Sequence, residues 1–239
     1  MSILDTLEWL SELLEVYGLQ VVFVFAVAFV IWYFVGSWIN LKIARRYARA
    51  IEGSMETRSL PVKYRRISGG RGFRALCLMR DKEIFERMEI AINLADRDNV
   101  MHYVLSPITR DEDRFLCWAF MNIKPPSNIE IIPKKRTEAF YKSMRKYPEK
   151  YGKFKLCKVD ETFDDEFSMF ADDDKIISKI FPKKMCDHIL GMKKLIRNIS
   201  VIKGEDFIRV VGVASEKNIP LLLDLAWKIG ECLAYRYRD

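Results

Sequence analysis

Between Val16 and Leu41 the chain runs for 26 residues without a charge, and no other feature constrains its fold so strongly. At 1.5 Å per residue a helix of that length reaches about 39 Å, more than the ~30 Å of hydrocarbon in a bilayer. Core helices of soluble proteins keep their apolar runs to about 10 to 14 residues, so this segment, residues 16–41, is expected to span a membrane. Tyr17 at one end and Trp32, Tyr33 and Trp38 at the other suit the two interfaces, and Gln20 is a lone polar side chain within. A cleaved signal peptide would begin with basic residues and end on small ones; this segment is preceded by acids and has no such site.

Charge sets the direction. The first 41 residues hold Asp5, Glu8, Glu12 and Glu15 and no Lys or Arg, so the chain's net +7 rises to +11 from residue 42 onward. Lys42, Arg45, Arg46 and Arg49 follow the span at once, and the positive-inside bias then places the body in the cytosol with the amino terminus outside. Residues 1–15 read as a short amphipathic helix, with Ile3, Leu7, Leu10 and Leu14 on one face and the four acids on the other; it either lies on the outer surface or extends the span. The sequon Asn198-Ile199-Ser200 falls on the cytosolic side and should carry no glycan.

The remainder is 68–239 after a basic linker at 42–67, and its composition excludes a disordered, collagen-like or disulfide-stapled polypeptide. Cys77, Cys117, Cys157, Cys186 and Cys232 are odd in number and widely spaced, which fits a reducing compartment better than a disulfide or zinc framework. Periodicity predicts an α+β body. A strand at 71–79, a helix at 81–95 with Ile84, Phe85, Met88, Ile92 and Ala95 inward, paired strands at 99–108 and 114–123 around Arg110-Asp111-Glu112-Asp113, and a basic helix at 134–146 make a β-α-β-β-α order. A strand at 154–159, helical material at 174–195 broken at Pro182, strands at 198–202 and 207–214 and an apolar helix at 220–235 repeat it, so the halves 68–150 and 151–239 either descend from a duplication or match by chance.

No local motif carries enzyme chemistry. Ser68-Gly69-Gly70-Arg71-Gly72 resembles a phosphate cradle only in its glycines, since it lacks the Lys-Ser/Thr ending of a P-loop and leads into a strand. His102 and His188 have no metal-ligating neighbours at suitable spacing, so no cofactor or metal is expected. Charge says more. Residues 58–80 hold Arg58, Lys63, Arg65, Arg66, Arg71, Arg74 and Arg80 with no acid, and residues 133–155 hold nine Lys or Arg interleaved with Phe140, Tyr141, Tyr147 and Tyr151. Either patch suits a polyanion, RNA or a lipid surface, or is simply a solvated face. Residues 160–174, with eight acids and no base, read as an exposed acidic loop.

The order of an N-out span, a basic exit, Ser68 to Arg71 before a strand, Arg80-Asp81, and Glu112 to Phe120 within the segment from Asn99 resembles the calumin family, coiled-coil-domain membrane proteins of the endoplasmic reticulum that work in the PAT chaperone complex. The resemblance covers roughly residues 16–235. It implies a non-enzymatic role in membrane-protein biogenesis: a translocon- and ribosome-associated subunit in the endoplasmic reticulum membrane, its span paired with a small membrane partner, Asterix. The family's basic coiled-coil tail has no counterpart after Tyr235, nor its acidic lumenal region before residue 16, which implies a reduced version without calcium binding. On charge alone, Lys42, Arg45, Arg46, Arg65, Arg66, Arg71, Lys134, Lys135, Arg136, Lys142 and Arg145 are the candidate contacts to ribosomal RNA or lipid. Two other functions remain open: a membrane tether binding anionic headgroups, and an anchored phosphate-handling enzyme using Ser68 to Gly72.

Overall fold

A computed structural model describes residues 3–67, 71–100 and 111–236. The chain divides into two units, one of residues 1–43 with 96–111, the other of residues 44–95 with 112–239. Helix α1 runs unbroken over Ile3–Met55. The facing of residues 2–14 lies outside the described side chains, as do the loop residues Ser68 to Gly70 and most of the strand expected at 99–108.

In the first unit α1 is long and apolar enough to cross a membrane, and none of its most apolar eighteen-residue window is buried. Leu19, Phe23, Phe34 and Trp38 all stand exposed. Among the described side chains of α1 in this unit, one polar residue is buried. Asn40 is 3% exposed and accepts a hydrogen bond from the Arg97 guanidinium at 3.1 Å. One turn earlier, a Cβ at Gly36 would lie 2.2 Å from the Arg97 carbonyl oxygen and 2.6 Å from Asp98 Cα. Only glycine lets that backbone lie on the helix.

The second unit is a nine-stranded antiparallel sheet with helices. Its strands are β1 (Lys63–Arg66), β2 (Gly72–Leu78), β3 (Phe85–Asn93), β4 (Arg114–Met121), β5 (Ile129–Pro133), β6 (Lys155–Cys157), β7 (Phe167–Ala171), β8 (Ile196–Ile202) and β9 (Phe207–Val213), in the order β1-β2-β3-β4-β9-β8-β5-β7-β6. Helices α2 (Thr137–Lys146), α3 (Pro148–Tyr151), α4 (Glu161–Glu166), α5 (Ile177–Ile180), α6 (Lys183–Gly191) and α7 (Asn218–Arg236) complete it. Antiparallel register sets one side chain of each strand opposite the next. A single row therefore crosses eight strands: Ala75, Ile90, Cys117, Val210, Ile199, Ile131, Met169 and Cys157. All eight are buried, and burial of apolar area on this scale is the main stabilising term of the unit.

Helical residues at three- and four-residue spacing supply the cover. Tyr47, Ile51 and Met55 on the last turns of α1 are buried, as are Ile219, Leu222, Leu223, Ala226, Ile229 and Leu233 on α7. Of the residues that widen the apolar arc of α7, Leu225 is buried, Leu221 is exposed, and Trp227 lies 5.3 Å from Phe85, centroid to centroid. Gly230 passes so close to Phe85 that a Cβ would meet the ring at 2.1 Å.

Several expectations change. The helix predicted at 81–95 is strand β3: Met88, Ile90 and Ile92 point to one face, while a bulge between Phe85 and Arg87 keeps Phe85 inward. The resulting 85, 88, 92 spacing mimics a helical stripe. Strand β4 takes β3 and β9 as its two neighbours; of the strand expected at 99–108 only Asn99 and Val100 are described, and Val100 is helical. With a strand in the helical slot of the first half and β7 standing among the helices of the second, neither half shows the expected β-α-β-β-α order among the described residues. The linker expected at 42–67 is mostly helix and strand. Within the supposed acidic loop, Phe167–Ala171 is a fully buried strand.

Candidate functional site

The candidate cations sit at four places in the strands, turns and helices of the sheet unit and on α1 just past its uncharged run. Lys42, Arg45 and Arg46 are exposed on α1, Arg65 and Arg66 on edge strand β1, Arg71 just before β2, Lys134, Lys135 and Arg136 on the 3-10 turn after β5, and Lys142 and Arg145 on α2. The strand order keeps the two patches apart, since six strand spacings, about 29 Å, separate β1 from β5.

Edge strand β1 is pinned to α1 through the Tyr64 hydroxyl, which donates to the Ala48 carbonyl at 3.1 Å. Burial and the nearby Glu52 push the Tyr64 phenol well above its ordinary value. This contact gathers Arg45, Arg46, Arg65 and Arg66 around one helix-strand junction. Gly72, with φ +147°, opens β2; a Cβ there would lie 1.9 Å from the Ile92 carbonyl oxygen. At least the last glycine of the Ser68-to-Gly72 run thus has a packing reason.

The second patch is partly core. Phe140 on α2 packs on Phe170 with centroids 4.7 Å apart, and on Tyr151 and Phe154. It is no stacking platform for a base. Tyr141 and Tyr147 remain exposed beside Lys142 and Arg145.

A buried acid that joins three segments of the second unit was not among the expected site residues. Asp113 is 6% exposed; it accepts from the Tyr47 hydroxyl at 2.8 Å and from the Ala95 amide at 2.8 Å, and its carbonyl accepts from the Ala214 amide at 2.8 Å. Its neighbour Glu112 takes both arms of the Arg197 guanidinium, each at 2.7 Å. Hydrogen bonding from Arg197 holds the Glu112 carboxyl below the usual carboxylate range, against the opposing effect of burial. In sequence these acids looked like the tip of a charged turn; the buried Phe115 that follows was the available signal that the turn had ended.

Among the described residues no three His, Cys, Asp or Glu side chains form a metal-sized cluster. His188 faces Lys228 at 3.5 Å, and partial burial, then that ammonium, lowers its pKa. His102 lies outside the described residues. Asn198 and Ser200 of the sequon both donate to Glu130 at 2.8 Å from within β8, and Ser200 is fully buried. A missing glycan there would thus report folding as much as sidedness.

No family model and no curated protein matches the chain. Among solved structures, the chain is similar to the crystal structure of the mycobacterial trehalose monomycolate transport factor A, TtfA, with a TM-score of 0.39 and 6% identity over 73% of this chain and 72% of that one.

Proposed function

We propose that the chain is a membrane-anchored, non-enzymatic factor of membrane-protein biogenesis, a relative of the calumin family whose body works on the cytosolic face of the endoplasmic reticulum beside a translating ribosome. One observation carries the reading: the helix that holds the uncharged run 16–41, with its most apolar window wholly unburied, also carries Tyr47, Ile51 and Met55, which are core residues of an α+β unit rich in exposed cations. A helix so exposed and apolar is stable in lipid and a liability in water. On the far part of the sheet, Lys142 and Arg145 with exposed Tyr141 and Tyr147 form the face we assign to ribosomal RNA, where cations meet phosphates and phenol rings meet unpaired bases. Translocon-associated membrane proteins, Asterix among them, would contact the span.

Cosedimentation of the detergent-solubilised full chain with ribosomes tests this. Binding at low salt that falls steeply as salt rises, and that is weakened by K142A/R145A, is expected; indifference to ribosomes at every salt would overturn it.

A further inference from the structure

We infer that the end of the sheet at which Tyr47 sits is a docking face for anionic membrane lipids, and that a groove between β5 and β8 receives a headgroup phosphate. The inference rests on α1 being a span, but not on the ribosome.

The groove, of about 490 Å³, is lined by Pro133, Lys134, Lys135, Glu166, Lys193, Lys194 and Arg197. Two of its five cations are compensated, Lys193 by an ion pair with Glu166 and Arg197 by its two-armed bond to Glu112. Lys134, Lys135 and Lys194 have no carboxylate partner among the described residues, which leaves three uncompensated ammonium groups in one recess. The Arg197 guanidinium is also held by its bond to the Lys194 carbonyl at 3.1 Å, so three of its five N–H groups are committed and its plane is fixed before any ligand arrives. A small anion with several charged oxygens, a phosphate, matches this set of point charges beside a rigid donor. The neighbouring recess carries the opposite sign, with Glu161, Asp165 and Glu166 along its wall, and it bounds the site on that flank.

Its place in the fold selects the source of the phosphate. Glu112 and Asp113 are consecutive; the first clamps Arg197 and the second clamps Tyr47. Tyr47 is only six residues beyond Leu41, where the uncharged run ends, and six residues of chain reach no farther than about 20 Å in any conformation. The same end of the sheet carries exposed Arg66 at the close of β1, Arg71 before β2 and Arg114 at the start of β4. Cations strung along one sheet end suit a plane of headgroups. The groove lining contains no aromatic side chain, whereas single-stranded RNA sites pair their cations with stacking rings.

Native mass spectrometry of the full chain, released from detergent micelles titrated with phosphatidylglycerol or phosphatidylcholine, tests the site. We expect at least one phosphatidylglycerol retained in preference to phosphatidylcholine, a loss of roughly tenfold to a hundredfold in its affinity in K134A/K135A/K194A, and no loss in K142A/R145A. Undiminished phosphatidylglycerol binding by the triple variant would overturn the proposal. So would full displacement of the lipid by millimolar inorganic phosphate, which would mark a free-anion site, or loss of a short oligoribonucleotide with the lipid retained, which would mark an RNA site. Circular dichroism checks that the triple variant folds; its three lysines are exposed. A chain that leaves membranes without detergent would sink the span itself, and ribosome cosedimentation, scored separately on the same variants, keeps the two proposals apart.

Discussion

The Tyr47 hydroxyl donates to Asp113 Oδ2 at 2.8 Å across 66 positions of sequence, inside the core. Asp113 also receives the Ala95 amide, so one carboxylate holds the end of α1 and the exit of β3 together.

Removing the tyrosine hydroxyl deletes one bond to a charged acceptor; removing the carboxylate takes the acceptor from the Ala95 amide and leaves the Tyr47 hydroxyl only the Ala214 carbonyl at 3.3 Å. Tyr47→Phe should cost about 1 to 2 kcal/mol and Asp113→Ala about 3 kcal/mol or more. Thermal midpoints of the detergent-solubilised chain check the order, and equal effects would mean that Asp113 does not act as the shared acceptor.

Acid should weaken the Glu112–Arg197 clamp. The Glu112 pKa is lowered on folding, so its contribution is complete above the unfolded value of about 4.3 and disappears as pH falls through the folded one. The difference in midpoint between the native chain and Glu112→Gln should be constant near neutrality and shrink below about pH 4. A difference that grows in acid would reverse the sign.

Gly230→Ala should destabilise the sheet unit by about 1 to 3 kcal/mol, because a Cβ 2.1 Å from the Phe85 ring forces α7 off the sheet. Shortening the partner in the double variant Gly230→Ala/Phe85→Leu should recover part of the loss. If the single variant matches the native midpoint, the approach is looser than described.

Thiol reactivity should follow burial. Burial pushes Cys77 and Cys186 up to about 12, so at pH 8 each is almost wholly thiol and hidden as well. Alkylation of the folded chain should label Cys232, the one cysteine with intermediate exposure, before the other four. Early labelling of Cys117, which is fully buried, would indicate that the sheet opens.

What the sequence disclosed depended on how each element is covered. The uncharged run and the apolar α7 were legible because one side of their chemistry is extreme. Strands β5 and β7 were not. Every residue of both is buried, so neither shows the apolar-polar alternation of a half-covered strand, and β7 is further disguised by acids on each side. Strand β1, Lys-Tyr-Arg-Arg with all four residues exposed, has no apolar pattern at all. Among site residues, the charged segments around Arg65 and Lys134 stood out as clusters. Lys194 and Arg197 did not, because their groove is assembled from a turn, a strand and the exit of a third element, and such convergence has no signature in a linear sequence.

Among the described residues the nine-stranded sheet ends at β1 and β6, and an edge strand offers backbone donors and acceptors that can recruit a strand from another copy. Here one edge is the four residues of β1, with Lys63, Arg65 and Arg66, and the other is the three residues of β6, beginning with Lys155. Short length limits what a foreign strand could gain, and like charge makes two copies repel at either edge. With the anchoring proposed above, confinement to a membrane would raise the encounter rate of neighbouring copies, and these blunted edges would let them crowd without zipping their sheets into aggregates.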